Sequence, residues 1–177
     1  NALGAQGFQL AARELAGQAR ERGLHFETLF CPVGSGGTLA GLALAPIGAR
    51  VLGVAVCDDR ATFRARVEAI AAEGRQRLYD HWDVVEGFQG RGYGLSTRAE
   101  LQTQARFMRE TGIPLDPVYT GKAWCALEAL VETDRARLGR QILFWHTGGG
   151  FGFFGRGLEY AAALDHLLAG HGYVGGA

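Results

Sequence analysis

The chain has 177 residues, 47% of them hydrophobic, with eighteen acidic residues against eighteen basic ones. That length and apolar content suffice for one sizeable core and exclude a disordered chain, while the balanced charge gives no electrostatic reason to bind nucleic acid or an anionic membrane. No apolar run reaches the ~18 residues of a membrane span and no basic segment leads into a signal-like core, so the expectation is a cytoplasmic protein with a small ligand.

The first residues, Asn1 onward, carry no initiating methionine and run straight into a helical pattern, as expected of a piece of a longer protein. Phe8, Leu10, Ala11, Leu15 and Ala19 recur at helical spacing, which predicts a helix over 4–22 with Gly23 as its stop. LHFETLFCPV (24–33) reads as a strand, GSGGT (34–38) as a turn, and LAGLALAPIG (39–48) as a short helix ended by Pro46 and Gly48. RVLGVAVC (50–57) is nearly continuous and β-branched, the pattern of a strand covered on both faces. ATFRARVEAIAAEGRQRL (61–78) follows as an amphipathic helix that tolerates Gly74, and residues 79–96, with the cluster GFQGRGYGLS, read as loop.

TRAELQTQARFMRETG (97–112) is a further helix, with Thr97 and Glu100 at capping-box spacing and Gly112 at its end. IPLDPVYTG is an extended loop, KAWCALEALVETDRARLG (122–139) a helix and QILFWHT (141–147) the last strand. TGGGFGFFGRG makes a glycine-rich turn and LEYAAALDHLLAG (158–170) the last helix. Alternation of strand and helix predicts an α/β fold: a three-layer parallel sheet with helices on both faces. Ligands of such sheets bind beyond the carboxyl ends of the strands where strand order reverses, and GSGGT and TGGG both follow strands. The GRGYG and DPVYTG loops are expected to join them there.

Glycine-rich turns expose backbone N–H groups, and a following helix adds unpaired donors and a favourable dipole. GSGGTLAG lacks the lysine of a Walker A loop, and Leu39 takes the third glycine position of the dinucleotide fingerprint, so a terminal phosphate on a small cofactor fits better. Alone, the turn fits a phosphate site and a plain connector equally. Cys31, Cys57 and Cys125 are odd in number with no C-x-x-C pair, which predicts buried thiols rather than disulfides or zinc. His25, His81, His166 and His171 have no metal-ligand spacing, and no metal is expected.

In combination, GSGGTLAG, GRGYG, LDPVYTGKA and LFWHTGG, in this order, resemble the pyridoxal-phosphate enzymes of the D-cysteine desulfhydrase and 1-aminocyclopropane-1-carboxylate deaminase family, of the tryptophan-synthase-β-like fold type II. The opening NALGAQGFQLAARELAGQ is similar to that family's segment leading out of its small domain. The resemblance implies that residues 1–177 are the C-terminal part of the cofactor-binding large domain. The small domain and the segment with the cofactor-bearing lysine, in a G-N-K-x-R-K-like context, would precede it, and the 177 residues alone are expected to be inactive.

By the same resemblance, Gly34, Ser35, Gly36, Gly37 and Thr38 hold the phosphate of pyridoxal 5′-phosphate. Tyr93 and Tyr119 are active-site tyrosines beside the substrate, and each is otherwise a phenol closing a buried loop. Thr147 is the implied hydroxyl partner of the pyridine nitrogen, with Thr120 as competitor. Deaminases of the family read DPVYEG where this chain reads DPVYTG, and loss of that carboxylate favours β-elimination from a cysteine-like substrate. His146 is expected to be a structural hydrogen bonder and Lys122 to begin a helix. GGGFGFFG departs from the family pattern by its bulk. The implied activity is that of a homodimeric lyase converting D-cysteine to pyruvate, ammonia and sulfide. Sulfite loss from L-cysteate and ring opening of 1-aminocyclopropane-1-carboxylate are the competing activities, and a non-catalytic phosphate-ligand-binding domain is the alternative of another class.

Overall fold

The computed structural model describes residues 1–169; His171 lies outside them. Helices occupy Ala2–Glu21 (α1), Gly37–Ala43 (α2), Arg60–Glu73 (α3), Arg98–Thr111 (α4), Thr120–Thr133 (α5), Arg135–Leu138 (α6), Phe151–Phe154 (α7) and Gly157–Ala169 (α8). Strands occupy Thr28–Val33 (β1), Arg50–Ala55 (β2), Trp82–Val85 (β3) and Ile142–Phe144 (β4). Local chemistry sets the ends. Asn1 caps α1 through Gly4 N–H (2.9 Å), and Asp59 caps α3 through Thr62 N–H (2.7 Å). Thr97 and Glu100 form a reciprocal capping box at 3.2 and 2.5 Å, and Gly112, at φ 74°, closes α4 in the left-handed conformation.

The strands form one parallel sheet in the order β3-β2-β1-β4, with Leu29 opposite Val51 and Leu143, and Phe30 opposite Leu52 and Phe144. Alternation along the pleat sends Leu29, Cys31 and Val33 of β1 to one face, into a core with Ala5 and Ala12 of α1, Leu39 and Leu42 of α2, and Phe63 and Val67 of α3. Phe30 of β1 goes to the other, with Leu52 and Val54 of β2 and Ala123, Ala126 and Leu127 of α5. This is the three-layer α/β arrangement the alternation predicts.

β1 starts at Thr28 instead of 24, α2 ends at Ala43 instead of 48 and β4 ends at Phe144 instead of 147, and four departures from the pattern are larger. The stretch 79–96, read as loop, contains β3: Val84 and Val85 are buried, while Asp83 between Trp82 and Val84 masks the apolar run. The strand is held from outside as well, because the Asp83 carboxylate meets Arg60 at 2.6 Å and Arg64 and Arg137 at 3.4 Å. α3 stops at Glu73 instead of running to 78: Arg75 takes φ 52°, and Gln76 N–H bonds back to Ala71 O. The segment 122–139 is two helices, parted where Asp134 leaves the helical conformation at φ −146°. The turn over 147–157 encloses the single helical turn of α7.

Candidate functional site

Sequence order runs outward from β1 through β2 to β3 and returns to β4 on the opposite side of β1. The segments leaving the carboxyl ends of β1 and β4 therefore diverge, which is where an open α/β sheet leaves a crevice. A cavity of about 270 Å³ lies there, lined by Pro32, Gly34, Ser35, Thr38, Tyr119, Thr147, Gly148 and Gly149.

Gly36 caps α2 at φ 86°, a conformation that strains any residue with a side chain. No side chain caps this helix, and its ladder begins with Ala40 N–H to Gly36 O (2.8 Å). The N–H groups of Gly37, Thr38 and Leu39 consequently have no intrahelical acceptor. A Cβ on Gly34 would stand 2.7 Å from Tyr119 Cε1, so the bare backbone is what lets the tyrosine ring lie against the turn. A Cβ on Gly37 would meet only Ser35 Oγ, at 3.8 Å. Arg66 braces the turn from behind, donating to Gly34 O at 3.2 Å while paired with Asp58 at 2.9 Å.

Tyr119 reaches the cavity from the start of α5, and its hydroxyl lies 2.6 Å from that of Tyr93, the rings meeting edge to face with centroids 5.9 Å apart. Burial, and then the bond to Tyr93, push the Tyr119 phenol up to about 12, so it stays protonated at neutral pH. One O–H closes the pair, which leaves the other hydroxyl hydrogen to be directed outward. Tyr93 is 61% exposed and joins the site through Tyr119 rather than through the cavity wall.

Asp116, which sequence reasoning passed over, organises the start of α5. Its buried carboxylate accepts from the N–H groups of Val118 (2.9 Å), Tyr119 (2.7 Å) and Thr120 (2.8 Å) and from the Thr120 hydroxyl (2.6 Å). The signal available in sequence was an aspartate shortly before a helix start, the usual place for such local bonds. Gly149, at φ 91°, packs against the same carboxylate, where a Cβ would come within 2.7 Å of Asp116 Cγ. Asp116 thus joins the tyrosine loop to the turn after β4.

The structure brings Gly34, Ser35, Thr38, Tyr119 and Thr147 to one cavity, with Gly36 and Gly37 in the turn that forms its floor. Thr120 is not among them. It is fully buried, its hydroxyl donates to Asp116 and accepts from Asp116 N–H at 2.8 Å, and no donor is left for a ligand. Thr147 lines the cavity, so it is the better placed of the two threonines. His146 Nδ1 accepts from Gly148 N–H (3.1 Å), which leaves Nε2 protonated and donating to Pro114 O (3.0 Å). This is a structural bridge of the expected kind. Lys122, the only lysine of the chain, is fully buried with its ammonium on three backbone carbonyls, and is not presented to the cavity.

Residues 1–148 match the family model described as "Pyridoxal-phosphate dependent enzyme". The chain is 34% identical over 94% of its length to the mitochondrial bifunctional D-cysteine desulfhydrase/1-aminocyclopropane-1-carboxylate deaminase of Arabidopsis thaliana, and covers 43% of that protein. It is 35% identical over 86% of its length to a Pyrococcus furiosus protein provisionally named 1-aminocyclopropane-1-carboxylate deaminase, and covers 48% of it. The chain thus spans about half the length of the curated relatives it matches. A crystal structure of a homologue of that deaminase superposes with a TM-score of 0.81 at 30% identity, over 93% of this chain and 51% of the other.

Proposed function

The chain belongs to the pyridoxal-phosphate-dependent enzymes, in the branch of the 1-aminocyclopropane-1-carboxylate deaminases and D-cysteine desulfhydrases, and we propose that the whole protein eliminates the β-sulfur group of D-cysteine. In this reading residues 1–177 are part of the cofactor-binding large domain of a cytoplasmic homodimer. The residues present suit the cofactor: α2 opens with three N–H groups outside its ladder, and two hydroxyls, Ser35 and Thr38, flank them at the cavity. Gly34 to Thr38 would hold the phosphate, and Thr147 would meet the pyridine nitrogen.

The cofactor supplies the electron sink for a carbanion at the substrate α-carbon. Tyr119 supplies a proton: the electron pair at the α-carbon becomes the Cα–Cβ double bond, the C–S bond breaks with its pair staying on sulfur, and the sulfur takes the proton from the phenol. The Tyr93 hydroxyl, 2.6 Å away, replenishes it and, being exposed, regains its own proton from solvent. The observation that carries the choice of substrate is that the described residues lining the cavity offer hydroxyls and backbone but no carboxylate. A hydroxyl does not hold the ring nitrogen protonated, which leaves a weaker sink. Such a sink suits loss of a good leaving group better than opening of a carbon ring.

The test is a titration of the intact gene product with pyridoxal phosphate, followed by assay of oxoacid from three substrates. Binding together with pyruvate from D-cysteine is the expected result. Pyruvate and sulfite from L-cysteate alone, or the four-carbon oxoacid from 1-aminocyclopropane-1-carboxylate alone, would reassign the substrate. Binding without turnover would leave a non-catalytic phosphate-ligand-binding domain, and neither binding nor turnover would leave residues 34–38 as a bare turn.

A further inference from the structure

Side chains hold the loop that carries Tyr93 at its two ends, where Gln89 donates to Asp58 O (2.9 Å) and accepts from Gly87 N–H (2.8 Å), and Arg156 donates to Gly94 O (2.5 Å). Gly87, Gly90, Gly92 and Gly94 take φ of 94°, 59°, 113° and 67°, conformations open to glycine and costly to order. Its own backbone bonds are two, Gly92 N–H to Gln89 O at 3.1 Å and Leu95 N–H to Gly92 O at 3.3 Å. The carbonyls of those two bonds, Gln89 O and Gly92 O, also receive the Lys122 ammonium, at 2.5 and 2.6 Å. Its third contact is Val56 O, 3.3 Å away, just beyond β2. Val56 N–H bonds in turn to Val33 O at the end of β1 (3.2 Å).

An ammonium has three N–H groups, and here all three are directed at backbone oxygens. Among the described residues no carboxylate forms an ion pair with it, so three carbonyl dipoles make its direct contacts, and the Glu100 carboxylate, beside the same loop at Gly90, adds a longer-range attraction. Lys122 stands three residues after Tyr119, in the first turn of α5. The same helical turn therefore presents one tyrosine and fixes the loop that brings the other.

We propose that Lys122 is a positioning residue, a built-in cation that fixes the 87–94 loop to the sheet and so sets Tyr93 against Tyr119. The consequence for turnover rests on the tyrosines acting as proposed above; the anchoring itself does not. Removing the charge while keeping the bulk, as in Lys122→Met, takes a donor from each of the three carbonyls, leaves Gln89 O and Gly92 O with only their 3.1 and 3.3 Å backbone bonds, and loosens the loop.

In the intact gene product, Lys122→Met is expected to raise amide hydrogen exchange about tenfold in peptides covering 87–95, with strand peptides unchanged. It should lower kcat about 10- to 100-fold while KM and cofactor affinity stay near wild type. In Lys122→Ala, propylammonium, which replaces the missing atoms from Cγ outward, should restore a measurable part of kcat. Wild-type exchange and kcat in Lys122→Met, or exchange raised equally in all peptides, would overturn the anchor. A wild-type protein that neither binds cofactor nor releases oxoacid would overturn the enzymatic reading alone, since loop exchange still reports the anchor. If the variants do not fold, acetylation of the wild type decides: Lys122 should acquire label no faster than the 87–95 amides exchange by loop opening, and labelling as fast as an exposed lysine would refute the proposal.

Discussion

Gly34→Ala tests whether the glycine-rich turn and the tyrosine pair form one device. The new Cβ would stand 2.7 Å from Tyr119 Cε1, with Cδ1 at 3.4 Å and Cζ at 3.7 Å. Carbon atoms settle at roughly 3.5 Å or more, so the ring edge has to retreat by about 0.8 Å. The backbone of Tyr119 cannot follow freely, because its N–H is held by Asp116 at 2.7 Å. A ring displaced that far takes its hydroxyl from 2.6 Å to the limit of bonding distance from Tyr93. Overpacking should cost about 1–3 kcal/mol of stability and the disturbed pair at least about tenfold in kcat. Gly37→Ala is the internal control: its Cβ meets only Ser35 Oγ at 3.8 Å, so the fold should gain about 0.4–1 kcal/mol. If a phosphate rests on this backbone, the same variant loses cofactor affinity. Thermal melts, cofactor titration and kcat on the intact gene product read all three quantities. Gly34→Ala with wild-type kcat would refute the coupling of turn to tyrosine, and Gly37→Ala with unchanged cofactor affinity would remove the phosphate from the turn.

Tyr119→Phe should lower oxoacid release about 100-fold while sparing cofactor binding, as removal of a proton donor does; equal loss of both would make Tyr119 a structural residue. Because the fold raises the Tyr119 phenol from 10.0 to about 12, its stabilising contribution is complete below pH 10 and is lost as pH rises from 10 to 12. The stability difference between wild type and Tyr119→Phe should accordingly shrink across that window and stay constant below it, as alkaline melts would read. Asp116→Asn keeps the shape but turns an NH2 group toward donors, the Thr120 N–H and hydroxyl on one oxygen or the Val118 and Tyr119 N–H groups on the other. A loss of about 2–3 kcal/mol in chemical denaturation is expected, and a loss below ~0.5 kcal/mol would deny Asp116 its organising role.

The architecture was legible because it rests on signals that are local: the periodicity of α1, the capping box of α4 and the unbroken apolar run of β2. β3 was not, because four residues paired along one edge carry too little pattern, and Asp83 interrupts what there is. The site divides in the same way. Gly34 to Thr38 and Thr147 show their chemistry in their residue types and in the strands they follow. Lys122 acts on the carbonyls of residues 56, 89 and 92, groups every residue possesses, so no spacing of side chains announces the contact.

Thr120 shows why position in a motif is not position in a site. The motif reads it as the residue that replaces a carboxylate beside the pyridine ring, and a single exchange at 120 would then convert elimination into ring opening. In the fold its hydroxyl points back to Asp116, 2.6 Å away, and its side chain is fully buried. Thr120→Glu would place a second carboxylate against the first without a cation to compensate either, a change expected to cost about 3–5 kcal/mol. Before any change of substrate is seen, the loop holding Tyr119 should be lost, with a lower melting temperature and no oxoacid from any of the three substrates. A variant that melts like the wild type and opens the cyclopropane ring would show that the loop turns residue 120 toward the ring once the carboxylate is there. Failing that, substrate choice belongs to the whole wall of hydroxyls and backbone around the cavity, and not to one residue of the motif.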